Sequence, residues 1–110
     1  MIIAIPCVSD CKTSGISERL ARSPFFAIAD TDQKEVRFFK NNFSDIGAGA
    51  GREMVAFMEA SNAEIIMTRE IGLMVQQLAV ERRLRILLLP ETITRVDQIL
   101  NYLKIAYHEE

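Results

Sequence analysis

Apolar and polar positions along this chain follow two periods, and the switches between them mark out the elements. Met1 to Pro6, MIIAIP, is a short apolar run rich in β-branched residues and closed by proline, the pattern of a buried strand. The stretch CVSDCKTSGISERLARS, Cys7 to Ser23, is polar and reads as a long irregular loop, a kind of segment that often carries function in a small domain. PFFAIAD and EVRFFK follow as strand-like runs separated by Thr31, Asp32, Gln33 and Lys34, which predicts a hairpin of antiparallel neighbours. From Arg52 to Ala60 the period becomes helical, with Met54, Val55, Phe57 and Met58 as its apolar positions, and this helix starts in a run of glycines. Glu64 to Thr68 predicts a strand. Ile71 to Leu84 predicts a helix with Met74, Val75, Leu78 and Ala79 turned inward, and Arg85 to Leu89 predicts another buried strand, stopped by Pro90. Thr94 and Asp97 have the spacing of a capping box ahead of Ile99, Leu100 and Leu103, so a third helix runs to about Tyr102.

The resulting order, β-β-β-α-β-α-β-α, has a geometric consequence. Right-handed crossovers through the first two helices make strands three, four and five parallel, and an antiparallel hairpin of strands one to three adds strand one to that set. The carboxyl ends of these four strands then share one edge of a mixed five-stranded α/β sheet. Four loops converge there: Cys7 to Ser23, Asn41 to Gly51, Arg69 to Gly72 and Glu91 to Ile93. In open α/β sheets that edge is where ligands bind.

Composition narrows the partners. With 110 residues, 49% of them hydrophobic, the chain suits a single domain, 1–110, with a core of 1–104 and a frayed tail over 105–110. A net charge of -2 provides no overall field for nucleic acid or an anionic membrane. No apolar run reaches the ~20 residues of a membrane span, and the first residues lack the features of a secretory signal, so the expected location is cytoplasmic.

The candidate chemistry lies at the shared edge. In SDIGAGAGREM, Gly47, Gly49 and Gly51 precede a helix, where bare N–H groups and the helix amino end favour an anion, although a flexible tight turn explains the same glycines. Arg19, Arg22, Arg52 and Arg69 belong to this edge, as do Asp10, Glu18, Asp45, Glu53, Glu70 and Glu91, with which some of the arginines could pair. The expected ligand-binding set is Arg19, Arg22, Gly47, Gly49, Gly51, Thr68 and Gly72. Cys7 and Cys11 are candidate metal ligands, because thiolates are the usual ligands of iron-sulfur clusters and Lys12, Arg19 and Arg22 would favour the thiolate form. The competing readings are a buried small hydrophobe for Cys7 with an exposed thiol for Cys11, or a reversible disulfide. His108, the one histidine, falls in the tail.

MIIAIP, ISERLARSPFFAIAD, the glycine run and IIMTREIG together resemble the dinitrogenase iron-molybdenum cofactor biosynthesis family over about residues 1–104. The resemblance implies a ribonuclease H-like fold, a five-stranded mixed sheet with helices on both faces. It also implies a carrier or chaperone of iron-sulfur or iron-molybdenum cofactor precursors with a protein partner in cofactor assembly; a homodimer is a separate expectation, belonging to a reading of the chain as an interaction module. The family's segment Ser-x-His-Phe-Gly-Arg-Ala-Pro-Tyr-Phe aligns with Ser17 to Phe26, keeping Arg22 and Pro24. Arg19 stands in the histidine position and Ala21 in the glycine position. After Ile71-Gly72, Leu73-Met74 replaces the proline and asparagine common in relatives.

Three readings therefore compete: a carrier, a protein-interaction module or small-anion binder that has lost cluster binding, and an enzyme of the ribonuclease H-like class. A nuclease of that class needs carboxylates on central strands to hold two metal ions. MIIAIP has none, Asp30 is at the far end of strand two, and Glu64 begins strand four. Nor does any serine or cysteine have a candidate histidine base beside it, His108 being the only histidine.

Overall fold

The computed structural model describes residues 1–43 and 49–103. Gly47, His108 and the expected tail over 105–110 lie outside the described residues. The elements are β1 (Ile2–Cys7), β2 (Phe25–Asp30), β3 (Glu35–Lys40), α1 (Ala50–Ala60), β4 (Ile65–Thr68), α2 (Leu73–Glu81), β5 (Arg85–Leu88) and α3 (Val96–Tyr102). They form one five-stranded sheet in the order β3-β2-β1-β4-β5. β1 runs antiparallel to β2 and parallel to β4, β2 antiparallel to β3, and β4 parallel to β5. This is the expected α/β architecture, and the carboxyl ends of β1, β3, β4 and β5 do lie on one edge.

The period-2 alternation of β1 divides the core in two. Ile3, Ile5 and Cys7 face α3, packing with Ala27, Ala29, Met67, Val96, Ile99 and Leu100. Ala4 faces the other way, where Phe26 and Ile66 meet Met54, Val55 and Met58 of α1 and Ala79 of α2. Helices therefore cover both faces.

At Pro6 the neighbour of β1 changes. β4 pairs with β1 only at Ile3 and Ala4. Beyond that the Cys7–Ser23 segment, expected to be irregular, folds back onto the freed edge. Ser17 N–H donates to the Pro6 carbonyl at 3.0 Å and Val8 N–H to Gly15 at 3.0 Å, with a bridge between Cys7 and Ile16. Val96 N–H then donates to Ser14 at 2.9 Å and Ile16 N–H to Thr94 at 2.9 Å, tying α3 to the same rung.

Several sequence expectations are corrected. α2 is shorter than Ile71 to Leu84, because Arg83 turns left-handed at φ 60 and Leu84 N–H caps Ala79 at 2.8 Å. Met74 is not inward but 63% exposed, lying about 140° around the helix from the buried Ala79. β5 is an edge strand and not a buried one, with Leu87 50% and Leu88 57% exposed. The cap of α3 is shifted by one residue: Arg95 is the N-cap, and the Gln98 side-chain oxygen accepts from the N–H groups of Arg95 and Thr94 at 2.9 and 2.8 Å, while Asp97 pairs with Arg95.

Two glycines of the run have separate backbone and packing roles. Gly49 is the N-cap of α1 at φ 100, where a side chain is strained. Gly51 lets α1 approach α2: a Cβ there would fall 2.6 Å from Val75 Cγ2. Gly51→Ala should therefore destabilise the protein by about 1–2 kcal/mol despite alanine's better helix propensity. In a Val75→Ala background the same change should cost less than about 0.5 kcal/mol. Urea unfolding of the four proteins checks this, and equal costs in both backgrounds would mean that the contact does not decide the effect.

Candidate functional site

Among the described residues, two neighbouring clefts that share Glu70 lie on the carboxyl edge. The first, about 350 Å³, has Arg19, Leu20, Ala21 and Arg22 on one wall and Glu70, Ile71, Gly72 and Val75 on the other. Its first wall is a turn pinned from beneath. Leu20 is buried as an apolar anchor. Ser17 Oγ donates to the Arg19 carbonyl at 3.0 Å and Ser23 Oγ to Leu20 at 2.9 Å. The buried Asn41 carboxamide donates to the carbonyls of Ala21 and Ser23 at 3.0 and 2.7 Å. With the backbone held so, the exposed Arg19 and Arg22 stand on the rim on either side of Leu20.

The second wall begins at the fully buried Thr68, whose hydroxyl donates to the Glu70 carbonyl at 3.2 Å. Thr68 thus shapes the turn, its hydroxyl proton already given to the backbone. Gly72 is the N-cap of α2, and among the described residues no side chain caps that first turn. The partial positive charge of the helix amino end therefore meets the two guanidinium groups at this cleft.

The second cleft, about 420 Å³, is lined by Glu18, Arg69, Glu70, Leu89, Glu91 and Thr94. Arg69 is spent on the fold: its guanidinium donates to the carbonyls of Pro90 and Ile93, and Nε lies 3.5 Å from Glu18. It is a clamp on the segment leading to α3, and of the edge arginines it is one that pairs with a neighbouring acid. Arg52 is exposed on the first turn of α1 and lines neither cleft. Gly49 does not line them either, while Gly51 backs onto Val75 of the first cleft. The structure therefore gathers Arg19, Arg22 and Gly72 and leaves Gly49, Gly51 and Thr68 in supporting roles. Asn41 was missed, although a polar residue directly after a strand, followed by a turn, was a visible signal.

The cysteines differ sharply. Cys7 is fully buried, and burial pushes its thiol up to about 11 while Sγ donates to the Ser9 carbonyl at 3.4 Å. Burial thus outweighs the nearby cations expected to favour its thiolate, and the side chain sits as the buried small hydrophobe of the competing reading. Cys11 is partly exposed, and the hydroxyls of Thr13 and Ser9, 3.5 and 3.6 Å away, lower its pKa. Among the described residues no group of three or more His, Cys, Asp or Glu side chains is placed to hold a metal ion. Asp30 accepts from the N–H groups of Asp32 and Gln33, and Glu64 from that of Ile2, both at the opposite end of the sheet. Among the described residues no helix is long and apolar enough to cross a membrane.

The family model described as dinitrogenase iron-molybdenum cofactor matches residues 1–104. The fold is similar to the apo form of the orange protein from Desulfovibrio gigas, at 18% identity and a TM-score of 0.83, covering 94% of this chain and 86% of that one. It is also similar to a Thermotoga protein assigned as NifB, at 21% identity and a TM-score of 0.79, covering 96% and 88%. No curated protein sequence matches this chain.

The burial of Cys7 sets a pH dependence. An unfolded thiol loses its proton near 9.0 and the folded one near about 11, so its contribution to stability is complete below pH 9 and is lost as pH rises toward 11. Urea midpoints of the natural protein should fall faster over that range than those of Cys7→Ala. Parallel curves would contradict the shift.

Proposed function

The chain belongs to the dinitrogenase iron-molybdenum cofactor family, and from that membership we propose that it is a small cofactor-binding protein that carries an anionic cargo in the cleft between Arg19–Arg22 and the start of α2. The observation that carries this reading is the meeting of two guanidinium groups with an uncapped helix amino end above an apolar floor of Leu20, Ile71 and Val75. Cationic groups on a rim attract a polyanion, and an apolar floor excludes the water that would screen it.

A metal-sulfur cluster precursor fits as cargo because its charge is negative and its sulfur surface is soft. This chain's contribution is to hold it by charge and N–H donors. Cys7 keeps its proton at neutral pH, which leaves Cys11 as the one thiol with a lowered pKa, a single protein ligand against the roughly four a cluster needs. Weak protein ligation suits a protein that passes its cargo on and catalyses nothing. A small oxyanion would use the same groups.

Anaerobic reconstitution with iron and sulfide tests the reading. Arg19→Ala with Arg22→Ala should weaken retention of the visible chromophore by about tenfold or more, since each charge-assisted hydrogen bond contributes about 1.5–3 kcal/mol. Cys7→Ala should leave it nearly unchanged. Retention that survives loss of both arginines but fails with Cys7 would sink the charge-held site.

A further inference from the structure

The two edges of the sheet are treated differently. β3 ends one side with the exposed charged residues Glu35, Arg37 and Lys40, the usual protection against edge pairing. β5 ends the other side, and among the described residues no strand pairs with its outer edge. That edge is apolar: Leu87 and Leu88 are 50% and 57% exposed, and Leu73 and Val80 of the adjoining α2 are 79% and 72% exposed.

The outward backbone groups of β5 are identifiable. Arg85 N–H donates to Glu64 at 3.0 Å and Leu89 N–H to Thr68 at 2.8 Å, so both residues turn toward the sheet interior. Backbone groups alternate sides along a strand, which points the N–H and C=O of Ile86 and Leu88 outward. Charge is polarised along the same edge, with Arg83 and Arg85 at its start and Glu91 just past its end. An antiparallel copy of the strand would set each basic end against an acidic end, whereas a parallel copy would stack like charges.

We propose that β5 pairs antiparallel with β5 of a second copy of this chain, Leu87 opposite Leu87, extending one sheet through both. That register places Ile86 of each copy opposite Leu88 of the other, so that every outward N–H and C=O of the two residues is paired. It also brings Arg83 level with Glu91 of the second copy. The neighbouring register, centred on Leu88, sets Ile86 against Pro90, which has no N–H and whose carbonyl already accepts from Ile93 at 3.0 Å. The proline thus disfavours that register, and in the other neighbour, centred on Ile86, Leu88 would meet Leu84, whose N–H is already given to Ala79 at 2.8 Å. This inference is independent of the anion-binding reading.

Sedimentation equilibrium of the natural protein should fit a monomer–dimer equilibrium. Leu88→Pro removes one outward N–H per chain and spares the bonds to β4, so it should raise the dimer Kd by at least about tenfold. If that variant fails to melt cooperatively, Leu87→Lys, at a half-exposed position, should have the same effect. In a Cys11→Ser background, Leu87→Cys should cross-link copies through a disulfide under diamide, since directly opposed residues of such a pair lie about 4.5 Å apart at Cα. Leu88→Cys should cross-link far more slowly. A natural protein that remains monomeric across the accessible concentration range would overturn the proposal. So would a dimer indifferent to these substitutions, or cross-linking that prefers Leu88.

Discussion

β1 has one neighbour along its whole length on one side and two in succession on the other. β2 pairs with every residue from Ile2 to Cys7, but β4 leaves after Ala4. The vacated edge cannot take an ordinary partner strand, because Pro6 has no N–H to donate. It retains a carbonyl, and Ser17 N–H satisfies it. This one bond turns a long polar loop into a fixed wall, since Ser14 and Ile16 on the same rung bind the backbone around α3. The Arg19–Arg22 turn emerges directly from that rung. The position of the rim arginines therefore depends on where β4 stops and on the proline that prevents another strand from following it.

The rest of the cleft depends on small contacts made well below its rim. Gly51 sets how closely α1 can approach Val75, and Val75 is part of the cleft wall. Asn41, at the end of β3, reaches across to the carbonyls of Ala21 and Ser23. A buried carboxamide is costly unless its donors are used, and using both of them here fixes a turn that carries exposed charges. The apolar packing and the polar groups thus act on the same segment from opposite sides.

How much of this was legible in the sequence follows from which signals are local. The element order and the sheet edge came directly from periodicity, because each strand and helix presents its pattern within a few residues. RILLL read as buried because an apolar run looks the same in the centre of a sheet and at its border; only the strand order exposes Leu87 and Leu88. Met74 read as inward because one helix turn cannot phase itself without its partner. The end of α2 was hidden since Arg83, not glycine, adopts the left-handed cap. At the site, Arg19 and Arg22 were legible as charges near one edge, but Arg69 was indistinguishable from them until its carbonyl partners were known. Of the glycine run, Gly49 has a backbone role, the tight turn that one of the two readings offered, and Gly51 a packing role against α2 that only the neighbouring helix reveals.

Charge on the carboxyl edge is partitioned, and the partition favours one cleft for an anion. Net charge says little here, since the same edge carries Glu18, Glu70 and Glu91 as well as the arginines. Arg69, partly buried, turns its guanidinium to two carbonyls and Glu18, so the remaining charged groups that line its cleft are carboxylates. On the other side of Glu70, the described lining brings the exposed Arg19 and Arg22 and the amino end of α2 together, with Glu70 as its carboxylate. On the proposed reading, a cargo held there by charge would have its affinity tuned by ionic strength, without a covalent bond that must be broken for release. Retention by Cys7 would require the opposite arrangement, a thiolate in water-accessible, cationic surroundings. The fold instead places that thiol in the packed layer beneath α3, where the proton stays on sulfur and the side chain serves the core.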